Sequence, residues 1–202
     1  MSLSAILFVD YQNVYRWARR AFEIPDEAPS YVGQFDPVKL AALLEEKGRG
    51  RFAIDQIRIY RGMPGQRYDQ IGYSAAQRQI HTWRKNPKIH VFTRPIRYPK
   101  DWDRSLSREK PKEKGIDVAL AVDFVAMAFK KDYELGLIFS ADTDLRPALE
   151  YVNSDEVSPK GEVVAWRGVK PNFELSSRKS VTCHWINSCD FLEVADRTRY
   201  TG

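Results

Sequence analysis

Three segments of this chain carry carboxylates where active sites are commonly built. Ile6-Leu7-Phe8-Val9-Asp10 is an apolar run ending in an acid, with Asn13 one turn later. Leu137-Ile138-Phe139-Ser140-Ala141-Asp142-Thr143-Asp144 repeats that design far along the chain, and Lys114-Gly115-Ile116-Asp117 puts another acid at the head of an apolar helical stretch. A buried strand that delivers a carboxylate to its C-terminal end, just before a helix begins, is how α/β proteins assemble sites. If the strands are neighbours, Asp10, Asp117, Asp142 and Asp144 face one crevice. Carboxylates packed together must protonate, spread apart or share a cation. An oxygen-rich, histidine-poor set suits a hard ion, Mg2+ or Mn2+, better than zinc. That combination points toward phosphate chemistry.

Each acid also has a plain structural reading. Asp10 could simply cap the first helix together with Asn13, and Asp117 or Asp144 could be an N-cap or a partner for a helix dipole. It is the joint placement at strand ends that favours the chemical reading.

The elements that must position these residues follow from hydrophobic patterning. Apolar runs rich in Val, Ile and Phe alternate with segments of helical period, the pattern of a parallel sheet covered on both faces. Strands are expected near Ala5–Val9, Ile54–Tyr60, Ile89–Thr93, Leu135–Phe139 and Glu162–Trp166, with a short edge strand around Cys183–Ile186 and a closing segment at Phe191–Val194. Helices are expected over Asn13–Phe22, from Asp36-Pro37 to Gly48, over Arg67–Arg84 and over Gly115–Lys131. A fifth follows Asp144, with Pro147 tolerated in its first turn. Ile116, Leu120, Phe124, Met127 and Ala128 recur at three- and four-residue steps, so the fourth helix turns one face to the core.

The 202 residues, 43% of them hydrophobic, suffice for a proper core in one domain spanning 1–202. The formal charge of +5 favours acidic partners without proving any. The N-terminal apolar run is short, lacks a basic lead-in and ends in Asp10, so it is expected to be neither a signal peptide nor a membrane span, and no other stretch is apolar for long enough to span a bilayer. Cys183 and Cys189 form neither a zinc-type pair nor a disulfide framework. A cytoplasmic protein with two reduced cysteines is the expectation. His81, His90 and His184 show no ligand spacing and are read as structural, and nothing in the chain sets an oligomeric state.

The stretch from Arg94 to Lys114 is long for a connection. It holds Arg94, Arg97, Lys100, Arg104, Arg108, Lys110, Lys112 and Lys114, interleaved with Tyr98 and Trp102. Cations there could neutralise phosphates and the rings could stack on unpaired bases. Asp101, Asp103, Glu109 and Glu113 offset the charge, so a solvated, partly self-paired loop is the competing reading. Lys114, Arg108 and Arg104 are the candidates for a substrate backbone.

Phe-Val-Asp10-Tyr-Gln-Asn13-Val, then Lys114-Gly-Ile-Asp117-Val-Ala-Leu-Ala-Val-Asp123, then Ser140-Ala-Asp142-Thr-Asp144-Leu, resembles the NYN-domain family, the PIN-like nucleases with a Rossmann-like sheet. The likeness runs from about Ile6 to Trp166, leaving residues 167–202 as a C-terminal extension of the same domain. The resemblance implies an α/β three-layer sandwich whose central, mostly parallel sheet has the order 3-2-1-4-5. It implies metal-dependent cleavage of RNA by Mg2+ or Mn2+, with Asp10, Asp117, Asp142 and Asp144 as the acidic set. Asn13 and Lys114 also match motif positions and are placed near the phosphate or just behind the acids. Asp123 matches as well, yet six residues along a helix from Asp117 turns it away from that face, so it is expected to orient a neighbour. One departure is Ala141, where the family commonly has glycine; a positive φ there would strain an alanine.

Two further readings stand beside the nuclease. One is a non-catalytic RNA-binding adaptor with the same pocket; the other is a phosphatase acting on a small phosphate ester. A dinucleotide enzyme is a third reading, against which the first strand-to-helix turn stands, since it reads Asp-Tyr-Gln-Asn without a glycine fingerprint.

Overall fold

Strand β1 (Leu3–Asp10) is apolar without interruption from Ala5 to Val9 because both of its faces are covered. Ala5, Leu7 and Val9 point into one core with residues of helices α1 (Tyr11–Ala21), α2 (Pro37–Lys47), α3 (Gln70–Trp83) and α6 (Ser188–Val194). Ile6 and Phe8 point into the opposite core with residues of α4 (Ile116–Lys130) and α5 (Arg146–Val152). Full burial of a side chain of this size contributes about 1.5–3 kcal/mol, so the two half-cores fix which strand face meets which helix layer. The structure, a computed structural model, describes residues 2–102, 109–168 and 181–201.

Four more strands follow the expected order, β2 (Phe52–Met63), β3 (Ile89–Pro95), β4 (Leu135–Phe139) and β5 (Lys160–Trp166), and β6 (Cys183–Ile186) closes one edge. All pairs are parallel, in the order β3-β2-β1-β4-β5-β6. The fold is therefore α/β, a parallel sheet between helical layers. β1 and β4 lie side by side, with Val9 opposite Phe139, so Asp10 and Ser140 leave the sheet together. The chain winds outward in opposite directions from this pair, which makes it the topological switch point where α/β sheets open a crevice.

Helix boundaries shift slightly from expectation because caps set them. α1 begins at Tyr11, two residues early, with the Asp10 carboxylate accepting the Asn13 N–H. α2 begins as expected: Asp36 accepts from the Val38 and Lys39 amides and Pro37 occupies the first turn. α3 starts at Gln70, later than expected, because Asp69 takes the Gly72 N–H and the residues before it turn back. Before α5, Thr143–Leu145 forms a single 3-10 turn. The closing segment at Phe191–Val194 lies within α6, whose Asn187 and Asp190 form a reciprocal capping box.

Candidate active site

At the C-terminal edge of β1 and β4, the start of α1 and the start of α4 enclose a crevice of about 320 Å3 lined by Asp10, Asn13, Arg16, Trp17, Arg20, Glu113, Ile116, Asp117 and Asp142. Each side chain arrives for a local reason. Asp10 is the last residue of β1 and caps α1. Asn13, Arg16, Trp17 and Arg20 stand three, four and seven residues apart along α1, which puts them on one helical face. Asp117 falls in the first turn of α4. Gly115 adopts φ 75°, a conformation that suits glycine, and so redirects the chain from Glu113 into that helix.

A short relay ties the β4 loop to α1. Ser140 Oγ donates to Asp10 Oδ2 at 3.3 Å and accepts the Asp142 N–H at 3.1 Å. Asn13 Oδ1 accepts the Ala141 N–H at 2.9 Å. Asp142 in turn accepts the Asp144 N–H at 3.0 Å, so it caps the 3-10 turn while facing the crevice. Ala141 needs no positive φ, and the alanine in place of the family's usual glycine is unstrained.

Asp10 is only 5% exposed. Burial pushes its carboxyl up to about 7, the carboxylates of Glu113 and Asp142 push the same way, and the bonds from Asn13 and Ser140 offset only part of this. Glu113 is also raised, mainly by burial, although Arg16 and Arg61 pull it down. Its carboxylate accepts the Gly62 N–H, and a methyl group at Gly62 would overlap it. The crevice thus concentrates negative charge that water cannot fully screen. Arg16 and Arg20, both exposed, stand at its rim, and the Arg20 guanidinium lies 4.8 Å from the centre of the Trp17 ring.

Among the described residues no three His, Cys, Asp or Glu side chains gather tightly enough to hold a metal ion by themselves. The donors lining the crevice are nonetheless oxygen donors with excess negative charge, the kind a hard cation takes with water and substrate oxygens completing its shell. The residues fit such an ion in chemistry, while leaving part of its shell to other ligands.

Of the residues singled out by sequence, Asp10, Asn13, Asp117 and Asp142 meet in the crevice. Asp144 is exposed in the neighbouring turn and does not line it, nor does the exposed Lys114. Arg104 and Arg108 lie outside the described residues. Asp123 faces away, accepting from Arg58 Nη2 at 2.8 Å and from the Tyr60 hydroxyl at 2.6 Å. Glu113, Arg16, Trp17 and Arg20 are additions. The three α1 residues were findable from the helical period starting at Asn13; Glu113 was masked by its setting in a mixed-charge loop.

That loop is partly folded onto the domain. Arg97 and Lys112 exchange backbone hydrogen bonds of 2.9 Å in each direction. Tyr98 stacks on Tyr68 with ring centres 4.4 Å apart and meets Trp102 edge-on at 5.9 Å. His184 is structural, bonded to Glu162 at 2.7 Å within an ion-pair group that includes Arg51.

The chain is a parallel α/β sheet domain with an acidic crevice at its switch point. The description "NYN domain" matches residues 4–181, nearly the whole chain, and the chain belongs to the NYN domain family. Domains of this family are typically nucleases. A crystal structure of a protein of unknown function from Vibrio parahaemolyticus has a similar fold, with a TM-score of 0.55 at 16% identity over 93% of this chain and 94% of that one. No curated protein matches. No described helix is long and apolar enough to cross a membrane.

Proposed function

We propose that this protein is a metal-dependent endoribonuclease that hydrolyses RNA phosphodiester bonds in the crevice between β1 and β4. The observation that carries the proposal is the buried Asp10 carboxyl, pushed up to about 7 beside Glu113 and Asp142, with Asp117 on the same crevice and arginines at its rim. Such an arrangement is costly for stability, and a bound cation together with an anionic substrate would relieve it.

Asp10 and Asp142 are the residues to hold Mg2+ or Mn2+, with Asp117 contributing to the shell and the Asp144 N–H, bonded to Asp142 Oδ1, orienting that carboxylate. A bound divalent ion supplies Lewis acidity toward a phosphoryl oxygen and lowers the pKa of water. Arg16 and Arg20 are suited to the non-bridging oxygens of the phosphate, since each is a permanently charged fork of donors. Trp17 offers a face for a base, already shared with Arg20. Asn13 holds the β4 loop in place through Ala141, which keeps Asp142 aimed at the crevice. None of His81, His90 and His184 lines the crevice, so no imidazole serves as a base for the substrate's own 2′-hydroxyl. Hydrolysis by water is the expected route, leaving a 5′-phosphate and a 3′-hydroxyl.

The test is cleavage of end-labelled single-stranded and hairpin RNA by wild-type protein and Asp10→Asn, with Mg2+, Mn2+ or chelator. Cuts that require metal and vanish in the variant support the nuclease. Full activity in the variant or in excess chelator defeats it. The incomplete preassembly of the carboxylates favours one alternative, an RNA-binding adaptor, for which RNA would bind without being cut under any metal.

A further inference from the structure

Of the 15 residues of helix α4 only Asp117, Asp123 and Lys130 are charged, although a single face of the helix meets the core. Ile116, Leu120, Phe124 and Ala128 are buried against the sheet, while Val118, Val122 and Phe129 on the far side are 59%, 59% and 77% exposed. With the half-buried Val125 they recur at steps of four, three and four residues, the spacing of a coiled-coil seam. Ala119, Ala121 and Ala126 flank the seam, and side chains so small let a second helix come close. A helix apolar on every side is normally enclosed, and an uncharged row of this kind marks a contact surface.

The sheet leaves room beside that seam. On this side α4 crosses β1 and β2 and α5 packs on β5, while β3 gives no described residue to the half-core beneath them. Phe92, paired with Tyr60 in the register, is therefore 36% exposed. Its ring stacks on Tyr60 with centres 5.0 Å apart and lies 4.5 Å from the Arg58 guanidinium. Phe92, Val118, Ala119 and Val122 line the resulting groove of about 350 Å3, with Arg94 also on its wall. Asp123, the acid in that lining, is already bonded to Arg58 and Tyr60.

We infer that two copies of the chain meet here, each laying its α4 in the groove of the other across a twofold axis. With the helices antiparallel and the axis level with the Asp123–Phe124 bond, Val118 faces Phe129 and Val122 faces Val125, so apolar meets apolar along the seam. One self-complementary patch serves both copies, as a closed dimer requires. The last turn of each helix, with Lys130, comes level with the first turn of the other, with Asp117, and the two macrodipoles oppose. A parallel pair would set like ends together. The helix is about 22 Å long and 10 Å wide, and three strips of that size are covered on each copy: the flank of α4, the groove beside it and the back of α4 seated in the other groove. The total, roughly 650 Å2 per copy, falls within the range of about 600–1,000 Å2 per partner that stable interfaces bury. A polyanion such as RNA would find no cation along the seam. The inference holds whether or not the acidic crevice cuts RNA.

Sedimentation equilibrium from about 1 to about 100 μM protein tests it. The wild-type chain should rise from 23.4 kDa toward twice that mass as its concentration increases. Val118→Lys with Phe129→Lys puts like charges opposite each other and should weaken the dimer about 100-fold. Val118→Lys with Phe129→Glu puts each new lysine opposite a new glutamate across the axis and should recover about 10-fold of that loss. Both positions are exposed, so the thermal midpoints of the three proteins at the dilute end should agree. The opposite-sign variant changes the same two positions and so controls for misfolding. Wild type that stays at 23.4 kDa throughout, which would leave the groove to a different protein, overturns the inference. So does a dimer that the same-sign variant leaves intact, or equal weakening by both variants.

Discussion

The Asn13 side-chain oxygen accepts the backbone N–H of Ala141 at 2.9 Å, joining the first turn of α1 to the loop after β4 across 128 residues of sequence. This bond sets the position of Asp142 relative to Asp10. Asn13→Ala should remove it and leave the Ala141 amide short of a partner, at a cost of about 1–2 kcal/mol. Urea denaturation measures that loss. RNA cleavage should fall further than stability explains at temperatures where the variant is fully folded. Equal loss of both would reduce Asn13 to a structural tie.

Asp10 gives stability a distinctive pH dependence. Its carboxyl is raised from 3.8 to about 7 in the folded protein, so between those values the native state holds a proton that the unfolded chain has released. Stability should therefore fall as pH rises from about 4 to about 7 in chelator. Asp10→Asn keeps a capping side chain and removes the buried charge. At pH 8 the variant should be more stable than wild type by on the order of 2 kcal/mol, converging with it near pH 4. Midpoints of urea denaturation across that range decide the matter, and a less stable variant at pH 8 would refute the assignment.

Arg16 and Arg20 should account for part of the salt dependence of RNA binding. For a single strand, the slope of log K against log salt flattens by about 0.7 for every phosphate that the protein no longer neutralises. Arg16→Gln with Arg20→Gln should thus flatten the slope by about 1.4 while leaving the thermal midpoint nearly unchanged, since both residues are exposed. An unaltered slope would place the RNA elsewhere on the surface.

Far from the crevice, Glu162 secures the β5 and β6 edge. Arg51 Nη1 donates to its Oε1 at 2.8 Å, and His184 Nε2 lies 2.7 Å from its Oε2. These partners hold its carboxyl down to about 2, against the desolvation that would raise it. A lowered folded pKa means stabilisation present above about 4.5 and lost as pH falls toward 2. Glu162→Gln should cost about 2 kcal/mol at neutral pH and flatten the acid limb of the stability curve. A pH-independent loss would attribute the effect to packing.

Sequence alone determined the sheet's strands, the capped start of α2 at Asp36-Pro37 and the apolar face of α4. These are properties of period, of cap chemistry and of proline's fixed φ, all of which act over a few residues. The acids at positions 10, 117 and 142 were legible for the same reason, since each ends a strand or begins a helix. Tertiary structure decided what lies between those acids. Glu113 reaches the crevice only because Gly115 turns the chain and Gly62, from β2, leaves room for its carboxylate. Asp144 falls outside the crevice because the 3-10 turn rotates it outward from Asp142. The groove beside α4 arises because that helix crosses β1 and β2 and leaves β3 uncovered, a placement set by sheet order and layer packing. Contacts between residues so distant in sequence depend on register and crossing geometry, and no local pattern encodes either.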